Sequence, residues 1–187
     1  QFRRDTKNAG RHKMQRPARS KGITKPKSMT EKLHGFVEKL KETNGEWVLD
    51  VKEAFGEVTI TVANSSISEV CRFLRDDHDF DMLADLCGCD RGPEEDPRFE
   101  VNYHLFSTIH YQRLRLKVLL SEDAPNVRTV TDVWKTADWH ERETFDLLGI
   151  KFDGHPDLRR ILLPSDFDGH ALRKDYPLRG YEPYSMN

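Results

Sequence analysis

The sequence holds no long apolar run. Its apolar stretches are only a few residues each, far short of the ~18–20 needed to cross a bilayer. No apolar leader core is visible either, so the chain reads as soluble and not exported by that route. Cysteine is scarce: three in 187 residues, an odd number too small for a disulfide framework and in keeping with a reducing compartment. Three thiols also cannot supply an all-cysteine zinc or iron–sulfur site. Three catalytic signatures are missing: a glycine-rich phosphate loop, a Gly-x-Ser-x-Gly elbow and a dinucleotide fingerprint. Apolar residues are also few, at 36%, against 33% charged, with a mean hydropathy of −0.75. Such a chain builds one modest core and leaves part of its length outside it.

Charge is abundant and uneven. The net charge of −2 conceals a tail, residues 1–28, with ten bases and one acid, and a remainder that carries −11. The tail has no apolar periodicity. It reads as a leader without structure, as an arm lying on a neighbouring protein, or as a contact for an anionic polymer or lipid.

Regular patterning starts at Ser28, which with Glu31 has capping-box spacing. Leu33, Phe36, Val37 and Leu40 then recur at helical spacing up to Asn44-Gly45. Trp47–Val51 and Val58–Val62 alternate as strands. Ser66 and Glu69 open a second amphipathic helix with Ile67, Val70, Cys71 and Leu74 on one face. Residues 76–100 carry ten acids and two bases. There Met82–Leu86 is an apolar island, a short strand or helical turn, and Arg91–Pro97 an exposed loop. Phe99–Phe106 and Arg113–Leu120 alternate about a loop at 107–112, an antiparallel hairpin. A third helix spans Ala137–Leu148, stopped by Gly149. Beyond it patterning ends. The expected fold is α+β, an antiparallel or mixed sheet with helices on one face. The expected divisions are a basic tail at 1–27, an α+β domain at 28–149, and an extended segment at 150–187 that packs on a partner.

Three groups of residues invite a chemical reading. Cys87-Gly-Cys89 lacks the two-residue spacing of redox and zinc motifs, so its thiols read as incidental. Phe-Asp-Gly-His occurs twice, at 152–155 and 167–170. Asp153, His155, Asp168 and His170 are thinkable metal ligands, but each Asp-Gly reads first as a turn. On the third helix, His140, Glu141 and Glu143 suggest acid/base work. Glu141, however, shares the face of Ala137, Phe145 and Leu148, which places a carboxylate inside and calls for a buried arginine or lysine partner. Asp138, Arg142 and Asp146 form a second stripe, a base between two acids.

Glu141-Arg142-Glu143, Asp146-Leu147-Leu148, His155, Arg159, Ile161, Leu162 and the run Leu172-Arg173-Lys174-Asp175-Tyr176-Pro177-Leu178 closely resemble the signature of the C (30-kDa) subunit family of respiratory complex I, the proton-pumping NADH:quinone oxidoreductase. The specific match spans about residues 131–181. The resemblance implies a non-catalytic peripheral-arm subunit without a cofactor or metal of its own. The flavin mononucleotide, iron–sulfur clusters and quinone belong to other subunits. It implies docking on the large quinone-site subunit, next to the cluster-bearing one. The location is then the cytoplasmic face of a bacterial inner membrane, or the mitochondrial matrix side. By position, Glu141, Arg142, Glu143, Asp146, His155, Arg159, Arg173, Asp175 and Tyr176 become docking or framework residues. Three other readings compete: the equivalent subunit of an NDH-type complex or membrane-bound hydrogenase, a metal-dependent hydrolase built on residues 140–170, and a nucleic-acid adaptor using the tail.

Overall fold

The computed structural model describes residues 29–180, with side chains from residue 35. The basic tail, the Ser28–Glu31 capping box and the side chain of Leu33 lie outside the described residues. Helix α1 runs Met29–Thr43 and ends at Asn44, whose side-chain oxygen accepts from the Glu46 amide and starts a short 3-10 turn. Strands β1 (Val48–Ala54) and β2 (Glu57–Val62) pair antiparallel. Helix α2 covers Ile67–His78, but the Ser66 hydroxyl does not cap it as its spacing predicts. A 3-10 turn at Asn64–Ser66 leads straight into the helix instead.

Strand β3 is longer than the apolar island suggests, spanning Met82–Asp90. It forms the edge of a five-stranded sheet ordered β1-β2-β5-β4-β3, in which β4 covers Phe99–Ser107 and β5 Gln112–Leu120. The acids of β3 do not break it because they sit where a strand tolerates them: Asp85 is exposed, and buried Asp90 is paired with Arg98. β4 and β5 form the expected hairpin, in unbroken register from Phe99↔Leu120 to Ser107↔Gln112. β5 meets β2 in parallel, so the sheet is mixed.

Alternation decides which side of the sheet is covered. Phe99, Val101, Tyr103 and Leu105 on β4 and Leu114, Leu116, Val118 and Leu120 on β5 are all buried. They share one core with Val37 and Leu40 of α1 and Ile67, Val70, Cys71 and Leu74 of α2. Each such side chain contributes roughly 1.5–3 kcal/mol on leaving water. Their strand neighbours Asn102, His104, Arg115 and Lys117 are only half-buried, so the opposite face of the sheet stays open.

Helix α3 covers Ala137–Leu148 and ends at Gly149 in the left-handed region. It lies close on β3: a Cβ on Gly88 would stand 2.5 Å from Leu148 Cδ1 and 2.8 Å from Thr144 Cγ2. Only glycine admits that approach. The core does not end at Gly149. Ile150 and Phe152 are buried, and β7 (Lys151–Asp153) pairs in parallel with β6 (Asn126–Arg128), a two-stranded element absent from the periodicity of the sequence.

Candidate functional site: the α3 terminus and its strap

After β7 the chain is irregular but not loose. Residues 156–180 form a strap across the C-terminal end of α3. A helix leaves its last four carbonyls without intrahelical donors, and here each finds one. The Gly149 amide donates to Phe145 O (2.9 Å), His170 Nδ1 to Asp146 O (2.9 Å), the Leu172 amide to Leu147 O (3.0 Å) and Arg173 Nε to Leu148 O (2.7 Å). Three of the four donors come from the strap. The guanidinium also places positive charge at the negative end of the helix dipole. Gly149 is where strap and helix cross: a Cβ there would lie 2.5 Å from His170 Nε2 and 2.7 Å from Arg173 Nη2.

Asp146 is the principal anchor. Its side chain is fully buried, and Oδ2 accepts from three successive strap amides: Ile161 (3.0 Å), Leu162 (2.8 Å) and Leu163 (2.9 Å). Arg160 Nη1 donates to Oδ1 at 2.9 Å. Burial alone would raise this carboxyl, but the amides and Arg160 outweigh it and hold it below the usual range. Arg160 Nη2 also donates to Phe167 O and Gly169 O, closing the second Phe-Asp-Gly-His turn.

The far end of the strap is tied to the sheet. Arg98, buried just before β4, donates through Nε and Nη2 to both oxygens of Asp90 (3.0 and 2.8 Å). It also reaches Glu122 (2.5 Å) and Asp175 Oδ1 (2.8 Å), while the Lys174 amide donates to Asp90 Oδ2 at 2.8 Å. Burial works against the Asp90 charge, yet Arg98 and the amides of Lys174 and Gly92 drive its carboxyl down to about 2.

Glu141 is fully buried, as its helical face predicts, but its partner is not the arginine or lysine expected. Oε2 accepts from Thr129 Oγ1 (2.5 Å) and Oε1 from the Val130 amide (2.8 Å). The nearest ionisable base is His155, with Nε2 at 4.0 Å. With neutral donors only, burial dominates and pushes the carboxyl up to about 7. His155 Nδ1 accepts from the Asp157 amide (3.0 Å). The neutral ring therefore carries its proton on Nε2, which faces Asp138 O at 3.3 Å.

Arg142 does not pair with the acids of its stripe. It donates to the strap carbonyls of Arg159 (3.2 Å) and Arg160 (3.4 Å) and lies over the Trp139 ring. Glu143 is exposed, Arg159 is exposed and paired with Asp157, and Tyr176 stacks on Phe167. Among the residues that the sequence singles out, Asp146, Arg142 and Arg173 thus converge on one junction, and Glu141 with His155 on a second. Asp175 joins a third, built on Arg98. Sequence reasoning misses Arg98, Asp90 and Thr129. The available signal for Arg98 is its isolation, since it is one of two bases among the ten acids of 76–100. The two Phe-Asp-Gly-His copies form turns, at Gly154 (φ +84°) and Gly169 (φ +85°). Among the described residues their acids and histidines do not assemble into a metal-ligand group.

Comparison with known proteins agrees with this architecture. Residues 60–182 match the family model for the respiratory-chain NADH dehydrogenase 30 kDa subunit. The C subunit of NADH-quinone oxidoreductase from Geobacter sulfurreducens is 46% identical over 148 residues, which is 78% of this chain and 91% of that one. Its counterpart of the same name from Acidithiobacillus ferrooxidans is 45% identical over 159 residues, covering 81% of this chain and 79% of its own. Among solved structures, the trypsin-resistant fragment (1-134) of Nqo5 superposes with a TM-score of 0.58 at 31% identity, covering 66% of this chain and 98% of the fragment. The same fold recurs in a chain of the membrane-bound sulfane sulfur reductase, an archaeal respiratory membrane complex, with a TM-score of 0.65 at 20% identity over 79% of this chain and 86% of that one. With the match running from β2 through the strap, the chain belongs to the 30 kDa subunit family of the respiratory-chain NADH dehydrogenase.

Proposed function

We propose that this chain is a non-catalytic peripheral-arm subunit of a proton-pumping NADH:quinone oxidoreductase. In this reading it scaffolds the quinone-reducing module by docking its strap and the outer face of α3 on the large quinone-site subunit, next to the cluster-bearing one. The observation that supports the docking is the exposure of apolar side chains on a strap whose backbone is already anchored. Leu162, Leu172 and Leu178 are 60%, 60% and 104% exposed, and Trp139 on α3 is 64% exposed. Anchored, outward-facing leucines and a tryptophan are the make-up of an interface core that covers them in an assembly. No helix of the described residues is long and apolar enough to cross a membrane. In this reading the chain is attached through its partner subunits, on the cytoplasmic face of a bacterial membrane.

Electrons pass through groups held on the other subunits, and the residues of the α3 junction act as framework. The test is co-purification of the tagged full chain from membranes. The expected result is recovery of flavin- and iron–sulfur-containing subunits, lost in a Leu162→Asp/Leu178→Asp variant that keeps its circular dichroism and melting temperature. Recovery of the same subunits with that variant would place the docking surface elsewhere.

A further inference from the structure

The open face of the sheet carries a group of side chains that the α3 junction does not use. Asp85 and Cys87 are exposed on β3, two residues apart and therefore on one face of the strand. His104 of β4 is half-buried and stands directly opposite Asp85 in the antiparallel register. A carboxylate oxygen, a thiol sulfur and an imidazole nitrogen from these three residues all lie within 4.8 Å of one another. We propose that Asp85, Cys87 and His104 form a binding site for one divalent metal ion of the zinc type.

The donor set selects the class of ion. A thiolate disfavours magnesium and calcium, which take oxygen ligands, whereas sulfur, imidazole and carboxylate together suit zinc. A four-coordinate ion with metal–ligand bonds of ~2.0–2.3 Å needs donors ~3.3–3.7 Å apart. Closing the present spacing takes about 1 Å of side-chain movement, within the reach of rotamers on an exposed strand face. The backbone supplies the rigid part. All three residues belong to one hydrogen-bonded ladder, whose register shifts between Leu83 and Asp85. Three protein ligands leave the fourth position to water, the arrangement of an open zinc site.

The surrounding charges permit a cation. On the β5 part of the open face, Arg115 is paired with Glu57 at 2.7 Å and Lys117 with Glu100 at 2.8 Å, and Arg113 lies over the Phe106 ring. At the rim, His140 Nδ1 of α3 is 3.5 Å from Asp85 Oδ1, placed to orient that carboxylate. Cys89 is the internal control. Two residues along the same strand, its sulfur turns to the Asp90 carbonyl at 3.8 Å and stays outside the donor group. Binding exchanges the Cys87 thiol proton for the metal: the sulfur–hydrogen bond breaks, a metal–sulfur bond forms, and one proton leaves to solvent with no change of oxidation state. The one-residue spacing of the two thiols hides this site in the sequence, because the third donor comes from the neighbouring strand.

Titration of the reduced full chain with cobalt(II) alone and zinc(II) alone tests the proposal. One equivalent of cobalt should bind with a thiolate-to-metal charge-transfer band and the intense visible bands of a four-coordinate ion, and zinc should displace it. Cys87→Ser should abolish the charge-transfer band. His104→Gln should weaken zinc binding at least tenfold, and Cys89→Ser should leave both readouts unchanged, each variant retaining the wild-type circular dichroism. Absence of a one-to-one complex in the wild-type chain, a six-coordinate spectrum without a sulfur band, or equal losses in Cys87→Ser and Cys89→Ser would overturn it.

Discussion

The β4–β5 hairpin and the strap are both ordered, by opposite means. The hairpin is held by a continuous ladder and a buried apolar stripe, so its stability is spread over many similar contacts. The strap has almost no buried apolar side chain, and its order rests on a handful of polar anchors: Asp146, Arg160, Arg173 and the Asp90–Arg98–Asp175 group. A segment without periodicity can therefore still be built into a fold, provided that buried charges and helix-end carbonyls are its partners. The two regions should also fail differently. A hairpin loses stability in small steps, whereas the strap stands or falls by single residues.

Asp146→Ala should separate the two regions most sharply. Three strap amides and Arg160 would lose their acceptor at once, at a cost of about 3–5 kcal/mol for a buried pair cut on one side. Urea unfolding should show the loss, and proteolysis should cut the strap while the sheet domain survives. Arg98→Leu should follow, at about 3 kcal/mol, because Asp90 stays buried without its cation. Its effect should reach both regions, since Arg98 joins β3 to the strap.

Glu141 distinguishes its junction from the strap anchors by pH. Its carboxyl is raised to about 7 in the folded chain, against about 4.3 unfolded. The folded state therefore holds the proton more tightly, and its stabilising contribution is fully present below pH ~4 and fades as pH rises to ~7, by roughly 3 kcal/mol. Glu141→Gln should flatten that slope in urea melts between pH 4.5 and 7.5. Asp90 has the opposite sign. Its depressed carboxyl stabilises the fold above the ordinary carboxylate range, and that effect is lost as pH falls through about 2.

Gly149→Ala should cost about 1–2 kcal/mol through the positive φ and the crowding by His170 and Arg173. The smallest effect is expected of Asp175→Asn, within about 1 kcal/mol in melting experiments, because Asp175 is half-exposed and Arg98 keeps Asp90 and Glu122.

The same division governs what is legible in the sequence. Period-two alternation over Val101–Leu105 and Leu114–Val118 locates the hairpin, and helical spacing places Ala137–Leu148 with Gly149 as its stop. β3 reads short because alternation weakens where Asp85, Cys87 and Gly88 occupy it, and its continuity depends on pairing with β4. The strap's anchors are invisible as contacts. Nothing local in the sequence says that Asp146 meets amides 15 to 17 residues on, or that Asp175 meets Arg98 across 77 residues. Burial of Glu141 follows from its face, but its partners do not, because a threonine hydroxyl and a backbone amide leave no charge signal.

Amide hydrogen exchange on the isolated full chain decides whether the strap belongs to this fold or to a partner. Ile161, Leu162, Leu163, Leu172 and Lys174 should be protected before any partner is present, and Asp146→Ala should release the first three while the β4–β5 amides stay slow. Exchange of the strap amides at free-chain rates in the wild-type protein, with protection gained only in the assembled complex, would show that a partner and not Asp146 orders the strap.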